Sequence, residues 1–102
     1  MNQFGSRIKE LRLAKALPLR KVAAAIDIDQ GSLSKIESGT KKATQNNILE
    51  LAKFFKVPEK ELKTAFLADK ILMALFDEDD AIDALKMAEE QVVYQTKNRK
   101  KK

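Results

Sequence analysis

Apolar residues recur three and four positions apart along much of the chain, which is the spacing of amphipathic α-helices. The first stripe predicts a helix from Gln3 to Lys15. Its inward side chains are predicted to be Phe4, Ile8, Leu11 and either Leu13 or Ala14. A later stripe predicts a helix that Thr44 caps and that ends near Phe55, and Pro58 is well suited to open the next one. The pattern therefore predicts an all-α fold.

Two short stripes between Arg20 and Gly39 are separated by a three-residue turn. This spacing is typical of a helix-turn-helix, in which the second helix is presented to the major groove of DNA. A helical hairpin with an ordinary solvated face is the alternative interpretation. The apolar side chains predicted to meet in one small core are Val22, Ala23, Ile26, Ile28, Leu33 and Ile36.

The second helix of this pair has recognisable ends and a polar outer face. Asp29 is a good N-cap, and Gly39 is typical of the position just past a helix C-terminus. Asp27 occupies a turn position that often requires positive φ, which Asp tolerates. The residues predicted to face outward are Gln30, Gly31, Ser34 and Lys35. A short polar face without an acid suits a surface that contacts the major groove.

Charge is divided into three blocks along the chain. Residues 1–66 hold 13 Lys/Arg and 7 Asp/Glu, residues 67–95 hold 2 and 8, and residues 96–102 hold 5 and 0. A basic first block is typical of a protein that binds phosphate. Lys41 and Lys42 lie in the loop between the second helix of the pair and the next helix N-terminus. This position predicts that they bind DNA phosphate, with a solvated loop pair as the alternative. The last block is expected to be a disordered basic tail.

The region from Leu62 to Tyr94 holds more apolar residues than one helix face can bury. A turn is predicted at residues 77–80, and the helix after it is expected to cover part of this surface. The remainder predicts a two-fold dimer. Residues 71–76 are interpreted as helix, with a strand paired across the dimer axis as the alternative. The predicted dimer-interface residues are Phe66, Ile71, Leu75, Phe76, Leu85 and Val92.

Composition argues against an enzyme, a cofactor and a metal site. The chain has no Cys and no His, so nucleophile–base pairs and transition-metal sites lack their usual parts. The acidic run fails as a calcium loop, because Ala81 and Ala84 stand where an oxygen ligand and a glycine are required. No signal peptide and no apolar run long enough to span a membrane is found. We therefore expect a cytoplasmic protein.

Four segments carry a resemblance to a known family. They are I-K-E-L-R (8–12), V-A-A-A-I (22–26), Q-G-S-L-S-K-I-E-S-G (30–39) and I-L-E-L-A-K-F-F-K-V (48–57). From Arg7 to about Leu62 the chain resembles the Xre/Cro family of DNA-binding domains. The resemblance implies a five-helix Cro/repressor-like domain with the helix-turn-helix at its second and third helices, followed here by a C-terminal helical extension.

The resemblance also implies roles for particular residues. Arg12 is expected to pair with Glu37 behind the recognition helix. The chain departs from the family at Pro18 and Leu19, where a Gln often bonds a phosphate, and at Gly31, where a side chain often touches a base. The residues expected to contact DNA are Gln30, Gly31, Ser32, Ser34, Lys35, Ser38, Lys41 and Lys42.

These observations predict a helix-turn-helix domain at residues 1–65, a helical dimerisation extension at 66–95 and a tail at 96–102. The expected function is sequence-specific binding of double-stranded DNA by a homodimer on an inverted-repeat operator, with repression favoured over activation. The family includes restriction–modification controller proteins and antitoxins that repress their own operon. The alternative is a protein-binding module, such as an antitoxin, that acts through residues 66–94 on a cognate protein encoded by a neighbouring gene.

Overall fold

The structure is a computed structural model that describes residues 2–100. Six α-helices account for most of these residues. In chain order they are α1 (Gln3–Ala14), α2 (Leu19–Ala25), α3 (Gln30–Ser38), α4 (Gln45–Phe55), α5 (Glu59–Ala74) and α6 (Ala81–Lys100). No strand occurs among the same residues. The predicted all-α fold is confirmed.

Helices α1 to α5 enclose one apolar core. Helix α1 packs against α3, α4 and α5, α2 packs against α3, and α4 packs against α5. Each of the five helices contributes one of the largest fully buried side chains, which are Ile8, Val22, Leu33, Leu51 and Leu62. Burying one such side chain stabilises a fold by about 1.5–3 kcal/mol. This shared core therefore fixes how α2 and α3 sit on the rest of the domain.

The inward face of α1 differs from the prediction at one end. Leu13 and Ala14 are exposed, whereas Arg12 is buried. Arg12 follows Ile8 by four residues, so both side chains lie on the same face of the helix. The prediction that Leu13 or Ala14 points inward is wrong, because a charged residue takes that position.

The ends of α3 and α4 follow from their capping residues. Thr44 Oγ1 accepts a hydrogen bond from the Asn47 N–H at 3.0 Å, and Asn47 Oδ1 accepts one from the Thr44 N–H at 2.9 Å. This reciprocal pair is a capping box. Gly39 ends α3 with φ +87°, and Asp27 lies in the turn before it with φ +59°. The backbone conformations of Gly39 and Asp27 thus mark the end of α3 and the turn that precedes it.

Helix α5 runs unbroken through the domain boundary predicted after residue 65. Phe66 packs edge-on against Phe4, with ring centroids 5.8 Å apart. Asp69 accepts hydrogen bonds from the N–H groups of Gln3 at 2.6 Å and Phe4 at 2.9 Å. Its carboxylate therefore caps α1, where the helix dipole favours negative charge. We call residues 2–70 the packed unit; Phe66, predicted at a dimer interface, contacts the core of its own chain.

The strand considered for residues 71–76 is not formed. Helix α5 continues to Ala74, and the N–H of Leu75 still donates to the Ile71 carbonyl at 3.0 Å. Leucine, methionine and alanine favour a helix, and nothing among these residues interrupts its hydrogen bonds. The predicted turn follows, with Asp77 at φ +60°. The strand alternative is therefore wrong for this chain.

Helix α6 departs from two expectations. It extends to Lys100, so residues 96–100 are helical where a disordered tail was expected. Glycine and proline are absent from α6, and basic residues at a helix C-terminus interact favourably with the helix dipole. The remaining tail residues, 101 and 102, lie outside the described residues. Helix α6 also covers little of the end of α5, since Ile71, Leu72 and Met73 are exposed. Leu75 and Ala81 are half-buried, so the cover is limited to the start of α6.

Candidate nucleic-acid interface

Helix α3 has one buried apolar face and one exposed polar face. Leu33 and Ile36 lie in the core, and Ser32 is half-buried at the edge. The exposed side is formed by Gln30, Gly31, Ser34, Lys35 and Ser38. These five residues include no acid and one cation, so the face presents hydrogen-bonding groups without repelling phosphate. We call them the polar face of α3.

A short hydrogen-bonded network fixes the start of α3. Asp29 accepts bonds from the Ser32 N–H at 2.9 Å and from the Ser32 hydroxyl at 2.6 Å. The Lys41 ammonium in turn donates to the Ser32 hydroxyl oxygen at 2.9 Å. The bond from the Ser32 side chain, followed by the bond from its N–H, lowers the pKa of Asp29 below its usual value. The network holds Lys41 against the recognition helix.

The loop after α3 places two lysines beside the polar face. The N–H groups of Thr40 and Lys41 donate to the Lys35 carbonyl at 2.9 and 3.2 Å. The hydroxyl of Ser38 donates to the same carbonyl at 3.1 Å. Both Lys41 and Lys42 are exposed. The carbonyl at the end of α3 therefore anchors the loop that carries both ammonium groups.

The ion pair implied by the family resemblance is present beneath α3. Arg12 Nε and Nη2 donate to the two carboxylate oxygens of Glu37 at 2.8 and 3.0 Å, and both side chains are buried. Arg12 Nη1 also donates to the Leu17 carbonyl at 3.0 Å. The hydrogen bond to Glu37 raises the pKa of Arg12 above its usual value. The bidentate pair joins α1 to α3. The bond to Leu17 adds the segment before α2.

Two residues that position α3 were missed in the sequence. The Asn2 side-chain amide donates to the Glu37 carbonyl at 2.6 Å, and its oxygen accepts from the Gly5 N–H at 3.2 Å. A Cβ atom at Gly5 would lie 2.5 Å from the carbonyl oxygens of Ile36 and Glu37. An Asn before an apolar run is an N-cap signal, and a glycine inside a helix indicates close packing. Neither signal identifies α3 as the neighbour.

The start of α2 departs from the family pattern without losing exposed basic residues. Pro18 is extended and leaves the helix without a side-chain cap. Arg20 and Lys21 lie exposed in the first turn of α2. Two basic side chains are thus accessible directly after the two positions that depart from the family.

Metal-binding clusters and membrane-spanning helices are absent from the described residues. Within residues 2–100, His, Cys, Asp and Glu do not gather in groups of three that could hold a metal ion. Over the same residues, no helix is both long and apolar enough to cross a membrane. Every buried side-chain nitrogen and oxygen of the described residues has a hydrogen-bond partner. The polar face of α3 is the candidate site because it is exposed and lies beside two lysines.

Three comparisons with known proteins bear on this site. The sequence model of the helix-turn-helix family matches residues 8–62, just over half of the chain. The uncharacterized HTH-type transcriptional regulator RghRB of Bacillus subtilis (strain 168) is 37% identical over 67 residues, which are 64% of this chain and 48% of that protein. The chain thus spans about half the length of this curated relative. The crystal structure of the restriction-modification controller protein C.AhdI from Aeromonas hydrophila is 33% identical, with a TM-score of 0.56 over 59% of this chain and 91% of the controller.

The family match covers the residues that form the site, except Asn2 and Gly5, which precede it. It includes α2, α3, the buried ion pair and both loop lysines, and it ends before α6. A match over more than half of the chain, together with both relatives, confirms the family that the sequence resembles. The chain belongs to the Xre/Cro-type helix-turn-helix family of DNA-binding transcriptional regulators.

Proposed function

We propose that this protein binds a specific sequence of double-stranded DNA as a homodimer and represses transcription there. The polar face of α3 carries the proposal, because it is exposed and acid-free, with two lysines beside it. A helix with its side chains is about 10–12 Å across, and the major groove is about 12 Å wide. The protein acts by binding alone and needs neither a catalytic group nor a cofactor for this function.

The contacts to DNA divide into two kinds. Gln30 and Lys35 contact base edges, since Gln pairs well with adenine and Lys with guanine in the major groove. Lys41 and Lys42 contact phosphates, which position the protein on any sequence. Ser32 is already bonded to Asp29 and to Lys41, so its part is to hold that lysine in place. The remaining contacts come from Gly31, Ser34 and Ser38.

A second copy of the chain completes the DNA-binding unit. After the packed unit the chain carries large apolar side chains that are exposed or half-buried. Those proposed to meet a second copy are the exposed Ile71, Phe76, Leu85 and Val92 and the half-buried Leu75. A two-fold dimer of this family type places its recognition helices in successive major grooves, about 34 Å apart. Its site is then an inverted repeat. A dimer seated over promoter DNA blocks access to it, which is why we propose repression.

Selection from a random library of DNA duplexes tests this function and identifies the operator in the same experiment. We expect enrichment of an inverted repeat whose half-sites are about 10 base pairs apart. Gln30→Ala and Lys35→Ala are each expected to lose about 1–3 kcal/mol of discrimination on the selected duplex. Lys60→Ala is the matched control, an exposed lysine on α5. Unchanged affinity and preference in both α3 variants, with native helical content, would contradict the proposal.

A protein-binding role is the second candidate, and the exposed residues of α6 favour it. An antitoxin or similar module would use residues 66–94 to bind a cognate protein encoded nearby. In that case the chain stays monomeric in light scattering at micromolar concentration, and the neighbouring gene product binds it. A homodimer under the same conditions supports the DNA-binding regulator.

A further inference from the structure

Helix α6 carries an apolar stripe that its own chain leaves exposed except at Ala81, which is half-buried. The stripe consists of Ala81, Leu85, Ala88 and Val92, at helical spacing on one face, with Ile82 and Val93 beside it. Ile82 is 69% exposed and Val92 is 59% exposed. We call this face the α6 stripe. Exposed apolar surface that is continuous along a helix marks an interaction site.

Charge is segregated along the same helix. The turn before α6 and its first helical turn carry Asp77, Glu78, Asp79, Asp80 and Asp83, and the far end carries Lys97 and Arg99. A helix of this length spans about 30 Å. Salt screens charges over about 8 Å at physiological ionic strength. The two ends therefore do not neutralise each other within one chain, and a partner that lies along α6 must present the opposite order of charges.

We infer that α6 of one chain pairs antiparallel with α6 of a second copy. The inference rests on the homodimer of the proposed function and states which helix forms its contact. Antiparallel pairing reverses the order of charges, so the acidic start of each α6 lies beside the basic end of the other. It also gives the self-complementary patch that a two-fold interface requires.

The sequence sets the register of this pair. When Leu85 lies opposite Val92 of the second copy, Ala81 lies opposite Thr96. The same register brings Asp80 opposite Lys97. The two-fold axis then passes between residues 88 and 89, so one alignment matches the two Leu85–Val92 layers and the two Asp80–Lys97 pairs.

The centre of the pair and the charged ends both favour this arrangement. Ala88 lies next to the axis, and a small side chain there allows the helices to approach to about 8 Å. Parallel pairing would bring the two acidic ends together and the two basic ends together, and like charges so placed repel. The family match ends at residue 62, so the α6 stripe lies outside the part of the chain that it covers.

Disulfide cross-linking tests the pairing directly, because the chain contains no cysteine. Ala88→Cys places two thiols beside the axis, within the Cα separation of about 4.4–6.8 Å that a disulfide requires. Met87→Cys is the matched control, since Met87 is adjacent and exposed but points away from the α6 stripe. Leu85→Cys and Val92→Cys are oxidised separately and as an equimolar mixture.

We expect Ala88→Cys to give a disulfide-linked dimer under mild oxidation and Met87→Cys to remain monomeric on a denaturing gel. The mixture of Leu85→Cys and Val92→Cys is expected to cross-link in much higher yield than either variant alone. Self-linking of Leu85→Cys at the level of the mixture indicates parallel helices and overturns the inference. Equal linking of Met87→Cys and Ala88→Cys, or none in Ala88→Cys, also overturns it.

The readouts separate this inference from the proposed function. Cross-linking is measured without DNA, and the same proteins are then assayed on the selected duplex. All four variants change exposed residues of α6, so their circular dichroism is expected to match that of the unsubstituted chain. A protein that binds the duplex without cross-linking at Ala88→Cys overturns the α6 pair alone. A protein that cross-links as expected but binds no duplex overturns the DNA-binding function alone.

Discussion

The packed unit and α6 are both helical, yet the packed unit buries its apolar side chains and α6 leaves most of its own exposed. In the packed unit, five helices each bury a large side chain in one core. In α6, apolar residues recur at the same helical spacing and remain exposed. The period of the pattern therefore predicts a helix in both regions, but whether its apolar face is buried depends on which neighbours the chain supplies.

This contrast separates folding from association. Substitutions that disturb the packed unit should change the free energy of unfolding, because its helices depend on one another. Substitutions on α6 should change the contact between copies while leaving that free energy nearly constant.

The largest effect is expected at the buried ion pair. Glu37→Ala leaves the Arg12 guanidinium buried without its partner, and we expect a loss of about 3–5 kcal/mol. A double-mutant cycle with Arg12→Met and Glu37→Leu, read by urea unfolding, isolates the coupling of the pair. A coupling energy near zero would show that the two side chains do not stabilise each other.

Gly5→Ala should also destabilise the packed unit. The new Cβ would lie 2.5 Å from two carbonyl oxygens of α3, so the helices must move apart. We expect a loss of about 1–3 kcal/mol in urea unfolding. Gly31→Ala is the control at an exposed glycine, where the nearest atom is the Asp29 side chain at 3.2 Å. Equal stability of the Gly5→Ala protein and the unsubstituted chain would rule out the close approach of α1 and α3.

A smaller, pH-dependent effect is expected at the cap of α3. Because the pKa of Asp29 is lowered in the folded state, its charge stabilises the fold at pH values above its ordinary pKa of 3.8. That contribution is lost as the pH falls through the lowered value. Asp29→Asn keeps an oxygen acceptor but does not titrate. The difference in urea midpoint between the two proteins should shrink from pH 7 to pH 3, and a constant difference would contradict the assignment.

The smallest effect on folding is expected from Leu85→Asp. Leu85 is exposed on α6, so the free energy of unfolding at low protein concentration should change by less than about 0.5 kcal/mol. The same substitution places a charge on the α6 stripe and should shift light scattering from dimer to monomer. A large loss of stability with an unchanged mass would mean that α6 packs on its own chain.

The sequence predicts most of the packed unit because its signals are local. The caps Asp29 and Gly39 and the apolar spacing of α2 and α3 predict the helix-turn-helix, and the family resemblance predicts the Arg12–Glu37 pair. Asn2 and Gly5 were missed because their partners are carbonyl groups 30 or more residues away, which no local pattern records.

The errors near the C-terminus have a different physical cause. The charge of residues 96–102 predicts a disordered tail, yet basic residues at the end of a helix stabilise it. The short apolar run at the end of α5 fits either a strand or a helix, and its continuity with the preceding helix decides the outcome. The spacing of apolar residues along α6 does not specify whether this helix packs on α5, because that depends on the path of the turn between them.

We propose that the polar face of α3 recognises sequence while the loop lysines bind phosphate. The salt dependence of binding to the selected duplex and to a scrambled one separates these two roles. For Lys41→Ala with Lys42→Ala, we expect equal losses on both duplexes and a log–log slope smaller by about 0.9 for each phosphate that is no longer bound. For Gln30→Ala we expect a loss on the selected duplex alone, with the slope unchanged. A lysine variant that loses affinity only for the selected duplex, or a Gln30→Ala protein that loses equally on both, would contradict the claim.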